Sequence, residues 1–201
     1  MALTCSTRPT LHSQQSVLAR LKRAEASQIV EFAVTLPLLM VFLIGITDFG
    51  GAFTLKQKLN NAVREGARFG ANEPTSDLDG TQPVSVDAIA NLVGQYLQSA
   101  RVNDCGLSNS ASRTVAKSAS APLTWTYTAN TGCAGTLTLT IERGYPVQLQ
   151  AGTPNYWLIA TRVTISYPYQ WRFNRVIPLL VPGTNYGLSQ IPTEAVVPNL
   201  T

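Results

Sequence analysis

The sequence predicts an α+β chain: a long N-terminal helix, transmembrane in its first half, and then a small head with one short helix and an antiparallel β-sheet. Three observations predict it. An uncharged apolar run, Phe32 to Ile46, continues into an amphipathic stretch that holds helical spacing to about Ala71. After a polar stretch, Asn103 to Ala121, the apolar period changes to two. Charged residues make up only 13% of the 201 residues, about half the globular average of roughly 25%, which suits an extracytoplasmic or assembled protein better than a cytosolic enzyme.

Residues 1–26 carry Arg8, Arg20, Lys22 and Arg23 and are expected to be a cytoplasmic leader, cleaved or without fixed structure. The helix is expected over 27–71, with about 29–53 in the bilayer. Glu31 and Asp48 bracket its apolar part, 17 residues apart, which at 1.5 Å per residue is roughly 26 Å, close to one hydrocarbon thickness. Asp48 is expected at the outer interface, where water reaches it. A carboxylate such as Glu31 at the lip of a bilayer needs water or a charged partner. A removable secretory signal fits less well, because no A-x-A site follows the run. A soluble core helix also fits less well, because the segment is apolar all round. Membrane helices tolerate Pro37, and Gly45, Gly50 and Gly51 leave room for a second helix. The basic leader favours a cytoplasmic N-terminus, although Lys56 and Lys58 on the far side oppose it.

Beyond the span, Leu55, Leu59, Ala62, Val63, Gly66 and Gly70 form one stripe. Ala62, Gly66 and Gly70 make a small-residue ridge for close packing, either against another helix or against the protein's own sheet. The segment "NEPTSD", Asn72 to Asp77, ends the helix and opens the head, 72–201. A second helix is expected over Val84 to Ala100, with Ser85 as N-cap and Val86, Ile89, Ala90, Val93, Tyr96 and Leu97 facing inward. Strands are expected over Leu123 to Ala129, Gly135 to Arg143 and Ala160 to Tyr169. Turns are expected at Asn130 to Gly135 and Glu142 to Pro146, and a loop at Leu149 to Tyr156. The proline-spaced C-terminal region reads as edge strands or an extended tail, with "IPLLVPG", Ile177 to Gly183, packed in the core or exposed as a contact patch.

Of three cysteines, Cys105 and Cys133 lie 28 positions apart in the head, without a CxxC or a nearby His. Outside the cytoplasm they pair as a disulfide; inside it they are two buried thiols. The state of Cys5, in the leader, is left open. The single His12 precedes the span, and no G-x-S-x-G, P-loop or H-E-x-x-H is present, so the chain offers little for catalysis. Asp77, Asp79 and Asp87 cluster near a loop, an arrangement that permits weak Ca²⁺ binding and more often marks a solvated turn. No aromatic-interleaved basic stripe points to nucleic acid.

Ala26 to Ala71, through "VEFA", "LPLL", "GITDFG" and "NNAVREGARFGA", closely resembles the N-terminal region of TadE-like proteins, the pseudopilin-like components of bacterial tight-adherence (Flp-type) pilus assembly. The likeness covers about a quarter of the chain, and "TRVTISYPYQW" resembles a family strand loosely. It implies a single-pass inner-membrane protein with a cytoplasmic N-terminus and a pilin-like periplasmic head, able to enter an extracellular filament. It also implies cleavage by a prepilin-type peptidase just before the apolar helix. The scissile bond then lies between Ala26 and Ser27, with Glu31 and Phe32 at the fifth and sixth places after it; Ala26 stands where the family usually has Gly. The freed Ser27 amine is a natural partner for Glu31. The implied partners are the peptidase, other pilin-like subunits, the inner-membrane assembly platform and membrane lipid. No cofactor and no metal are implied. The expected function is therefore non-enzymatic: a minor pilin-like or pseudopilin-like subunit. The alternatives are a single-span envelope protein whose head binds a ligand or another envelope protein, and, less well supported, an anchored hydrolase.

Overall fold

In a computed structural model, the backbone is described for residues 12–150, 156–172, 183 and 187–199, and the side chains for 27–148, 157–172, 183 and 187–199. The architecture is α+β, with α1 (His12–Asn72), α2 (Val84–Ser99) and five strands: β1 (Arg113–Lys117), β2 (Thr124–Ala129), β3 (Leu137–Gln150), β4 (Tyr156–Gln170) and β5 (Leu188–Pro198). The chain divides into two units, 1–47 and 48–201.

In the first unit the helix starts at His12, well before Ser27. No Gly or Pro interrupts residues 12–36, and Leu, Ala, Lys, Arg, Gln and Glu favour helix there. From Ser27 to Thr47 nearly every side chain is exposed on all sides of the helix.

In the second unit, strand order follows chain order, β1-β2-β3-β4-β5, with every neighbouring pair antiparallel. Alternation sets the faces. Trp125, Tyr127, Leu139, Ile141, Val163 and Ile165 are buried, and the register pairs Trp125 with Ile141 with Val163, and Tyr127 with Leu139 with Ile165. The threonines between them lie on the other face. Leu59, Ala62, Val63 and Ala67 of α1 and Val86, Ile89, Ala90, Val93 and Leu97 of α2 complete the core. α1 comes close to both α2 and β4. A Cβ on Gly66 would stand 2.5 Å from Val93 Cγ2, and one on Gly70 would stand 2.7 Å from Ile89 Cδ1 and 2.9 Å from Thr161 Cγ2. Hydrogen in place of a side chain is what permits this approach.

Several local expectations need correction. The polar stretch Asn103 to Ala121 contains β1, an edge strand held by side chains more than by apolar alternation. Arg113 donates to Asp87 Oδ1 (2.6 Å), Asn91 Oδ1 (2.7 Å) and the Leu107 carbonyl (2.6 Å), and Lys117 Nζ donates to the Leu78 and Asp79 carbonyls. "ERGYP" is not a turn; β3 passes through it with a register shift between Glu142 and Tyr145, a bulge that absorbs the extra residue and keeps pairing with β4. Leu149 and Gln150 belong to β3 and Tyr156 to β4, while the rest of that expected loop lies outside the described residues. Pro192 and Pro198 are accommodated because β5 is an edge strand paired on one side with β4. Apart from Gly183, "IPLLVPG" lies outside the described residues, and so does Cys5.

Ser85 does not cap α2. The cap position is Pro83, and the acceptor comes from upstream: Asp77 accepts from the Ser85 N–H and the Ser85 hydroxyl, both at 2.8 Å. Burial alone would raise the Asp77 carboxyl, but these hydrogen bonds, with its own backbone N–H and the charge of Arg143, outweigh burial and hold it below its ordinary 3.8. A carboxyl depressed by folding contributes stability above its unfolded value, and that contribution is lost as pH falls through the folded one. Asp77→Ala is therefore expected to cost about 1 kcal/mol at neutral pH, a typical loss for an N-terminal helix acceptor. Denaturant titrations of the full chain in detergent should show the variant and wild-type curves converging as pH drops below 3.8.

Candidate functional site

Two features stand apart from an ordinary core. The first is the apolar part of α1 in the first unit. Phe32, Leu39 and Phe42 are 61%, 63% and 62% exposed, as large apolar side chains of a water-facing helix normally are not. Its hydroxyls need no water: Thr35 Oγ1 donates to the Glu31 carbonyl at 3.0 Å and Thr47 Oγ1 to the Leu43 carbonyl at 3.0 Å. The helix is long and apolar enough to cross a membrane, and its most apolar window is wholly unburied. Ser27, Glu31 and Phe32 are all exposed, and Ser27 and Glu31 are four residues apart, hence on one face. The Ala26 side chain lies outside the described ones.

The small residues divide into two groups. Ala62, Gly66 and Gly70 are consumed by the head's own packing, so the ridge faces the protein's sheet and second helix. Gly45 and Gly50 have nothing within 4 Å of an added Cβ. Only the latter two are open to another helix.

The second feature is the junction where the second unit begins. Asp48 is 3% exposed, contrary to the expectation that water reaches it. Its Oδ1 accepts from the Arg172 backbone N–H at 3.2 Å, and its carbonyl accepts from the Tyr169 hydroxyl at 3.4 Å. The aromatics around it stack edge to face: Phe49 with Trp171 at 5.5 Å, and Tyr169 with Trp171 at 5.2 Å between centroids. Sequence reasoning missed this junction because its halves are 124 residues apart. Unused signals were the aromatic run Tyr167, Tyr169, Trp171 and the single acid between the apolar run and Phe49.

Cys105 and Cys133 form a disulfide with Cα atoms 5.4 Å apart, joining the loop after α2 to the β2–β3 turn. The loop is further shaped by Asn103, whose Oδ1 accepts from the Cys105 N–H, and by Asp104, whose carboxylate accepts from the Gly106 and Ser108 N–H groups.

Of the three aspartates near the first loop, Asp77 caps α2, Asp87 pairs with Arg113, and Asp79 offers its carbonyl to Lys117. Among the described residues no group of three or more His, Cys, Asp or Glu gathers as a metal would need. The buried Arg143 donates to the Glu73 carbonyl at 2.7 Å, just past the end of α1, a favourable place for a cation. Each of these polar groups has a structural task.

Residues 26–68, about a fifth of the chain, match the family model described as TadE-like protein. Neither a curated protein nor a solved structure matches the chain.

Proposed function

We propose, from the TadE-like character of residues 26–68, that this chain is a non-enzymatic, pilin-like subunit that takes part in assembling a tight-adherence pilus. In this reading α1 holds the protein in the bacterial inner membrane as a single span, with the N-terminus cytoplasmic and the head outside. The observation that carries it is that the matched segment includes a stretch of helix whose most apolar part is unburied, so that part needs lipid or other helices around it. A head stapled by a disulfide supports an oxidising compartment, and hence this orientation.

A prepilin-type peptidase releases the chain between Ala26 and Ser27. The new Ser27 amine lies one helical turn from Glu31, close enough in the same or a neighbouring subunit to offset the cost of a carboxylate at the membrane edge. Other pilin-like subunits and the assembly platform are then met through the span, where Gly45 and Gly50 are open, while the head supplies the remaining contacts.

Mass spectrometry of the protein recovered from membranes tests the reading. A mature N-terminus at Ser27 is expected; an intact Met1, or loss of everything through Phe53, counts against it. Glu31→Ala is expected to impair maturation or incorporation into the assembly, and unchanged levels of both would remove the amine pairing.

A further inference from the structure

The second unit holds a cleft of about 580 Å³ that begins where the apolar run ends. Its wall includes Gly50 and Gly51 of α1, Lys58 two turns further along, Arg101 after α2, and Tyr169 and Arg172 at the end of β4. None of its described lining residues carries a carboxylate. Asp104, beside the wall in sequence, is occupied by backbone N–H groups, and Asp48 accepts from the Arg172 N–H. Lys58 donates to the Ala100 carbonyl at 2.7 Å, which anchors its ammonium at the cleft and uses one of three protons. Among the described residues, none of Lys58, Arg101 and Arg172 forms an ion pair, whereas Arg113 and Arg162 do. Three cations on one wall outnumber the two nearby acids, Asp48 and Asp104, and form no ion pair among the described residues, so an anion of high charge density is favoured there. Guanidinium groups bind phosphate oxygens through paired N–H donors.

We propose that this cleft binds a phosphate group, and that its source is the headgroup of an anionic phospholipid. The source follows from position in the chain. Gly50 and Gly51 lie at the outer end of the expected span, about 29–53, and Lys58 lies eight residues after Gly50, so the wall follows roughly 12 Å of helix from that end outward. That is headgroup depth for a helix leaving a bilayer, and basic clefts at this level take acidic lipids. The cleft also gives a role to Lys58, a cation on the side of the span where the positive-inside tendency disfavours it. The source depends on α1 crossing the membrane, but not on any role in a pilus.

The full chain in detergent, titrated with phosphatidylglycerol or phosphatidylcholine and read by native mass spectrometry, tests this. Wild type is expected to retain phosphatidylglycerol preferentially, and Arg101→Gln with Arg172→Gln to weaken that retention roughly thirtyfold. Both side chains are exposed, so the fold should tolerate the change. Arg64→Gln with Arg68→Gln removes the same charge from exposed sites outside the cleft and is expected to leave retention intact. Equal retention of the two lipids, an unaffected cleft variant, or an equal loss in the control pair would overturn the proposal. Inorganic phosphate binding as tightly as phosphatidylglycerol would overturn the lipid source. Recovery of the chain in the soluble fraction of cells would instead refute the membrane reading, which the lipid titration does not decide.

Discussion

Gly66→Leu is expected to prevent the head from folding, while Gly50→Leu leaves it folded. At Gly66 the first added carbon already lies 2.5 Å from Val93 Cγ2, with Ile89 and Val163 behind it. Val93 is fully buried and β-branched, so its χ1 strongly prefers one rotamer and it yields little. Even Gly66→Ala sets a helix-propensity gain of about 1 kcal/mol against an overpacking cost of about 1–3 kcal/mol, and the short distance to a rigid neighbour makes the cost prevail. Leu adds three more carbons to the same contact. At Gly50 nothing lies within 4 Å. Tryptophan fluorescence during denaturant unfolding of the full chain in detergent reads the head, because Trp125 is buried in its core. The expected result is no cooperative transition for Gly66→Leu and a normal one for Gly50→Leu. If Gly50 also contacts a neighbouring helix, as the proposed function requires, its variant loses incorporation into the assembly and keeps its unfolding midpoint. A reversed pattern would mean that the internal and external uses of the two glycines are misassigned.

Loss of the disulfide is the second large effect. Cys105 and Cys133 close a loop with a sequence separation of 28, for which the loss of unfolded-chain entropy is worth about 3–4 kcal/mol. Cys105→Ala with Cys133→Ala is expected to lower the midpoint of thermal unfolding by roughly 10 °C for a head of this size. The lesion reaches beyond the bond. The Thr131 N–H donates to the Cys105 carbonyl at 2.8 Å and Asn103 Nδ2 to the Gly132 carbonyl at 2.7 Å, so both strands of the loop contact are set by the crosslink. Arg101, Asn103 and Gly132 line the proposed anion-binding cleft, so the same variant is expected to weaken phosphatidylglycerol retention in the lipid titration. A wild-type midpoint that stays constant when a reductant is added, under conditions shown by thiol labelling to break the bond, would contradict this.

Local periodicity made much of the fold legible. Apolar residues at helical spacing place Val86, Ile89, Ala90, Val93 and Leu97 on one face because an α-helix turns once in 3.6 residues, and they are the residues buried. Alternation in "LTWTYTA" and "GTLTLTIER" set the buried face of β2 and β3 for the same kind of reason, and the fourth strand's "RVTISY" continued it. β1 escaped because Arg113 and Lys117 occupy positions where alternation normally shows apolar residues; apart from the Leu107 carbonyl, their partners lie 22 to 39 residues away. The bulge in β3 escaped because "ERGYP" carries turn chemistry that pairing with β4 overrides. The α2 cap escaped because its acceptor lies eight residues upstream, outside any capping pattern.

By itself, the sequence determined the long helix, its apolar stretch from Phe32 to Ile46, the α+β order of the head and the TadE-like segment, all properties of residues close together in the chain. Tertiary structure alone decided that Ala62, Gly66 and Gly70 serve the head's own core, that Asp48 is enclosed by Tyr169 and Arg172, and that Lys58, Arg101 and Arg172 share one cleft. Helix and strand geometry writes its period into neighbouring residues, so a periodic face can be read from the order of residues. Which surface that face meets, and which charges converge, depends on segments brought together only when the sheet closes against α1, and no local pattern records that.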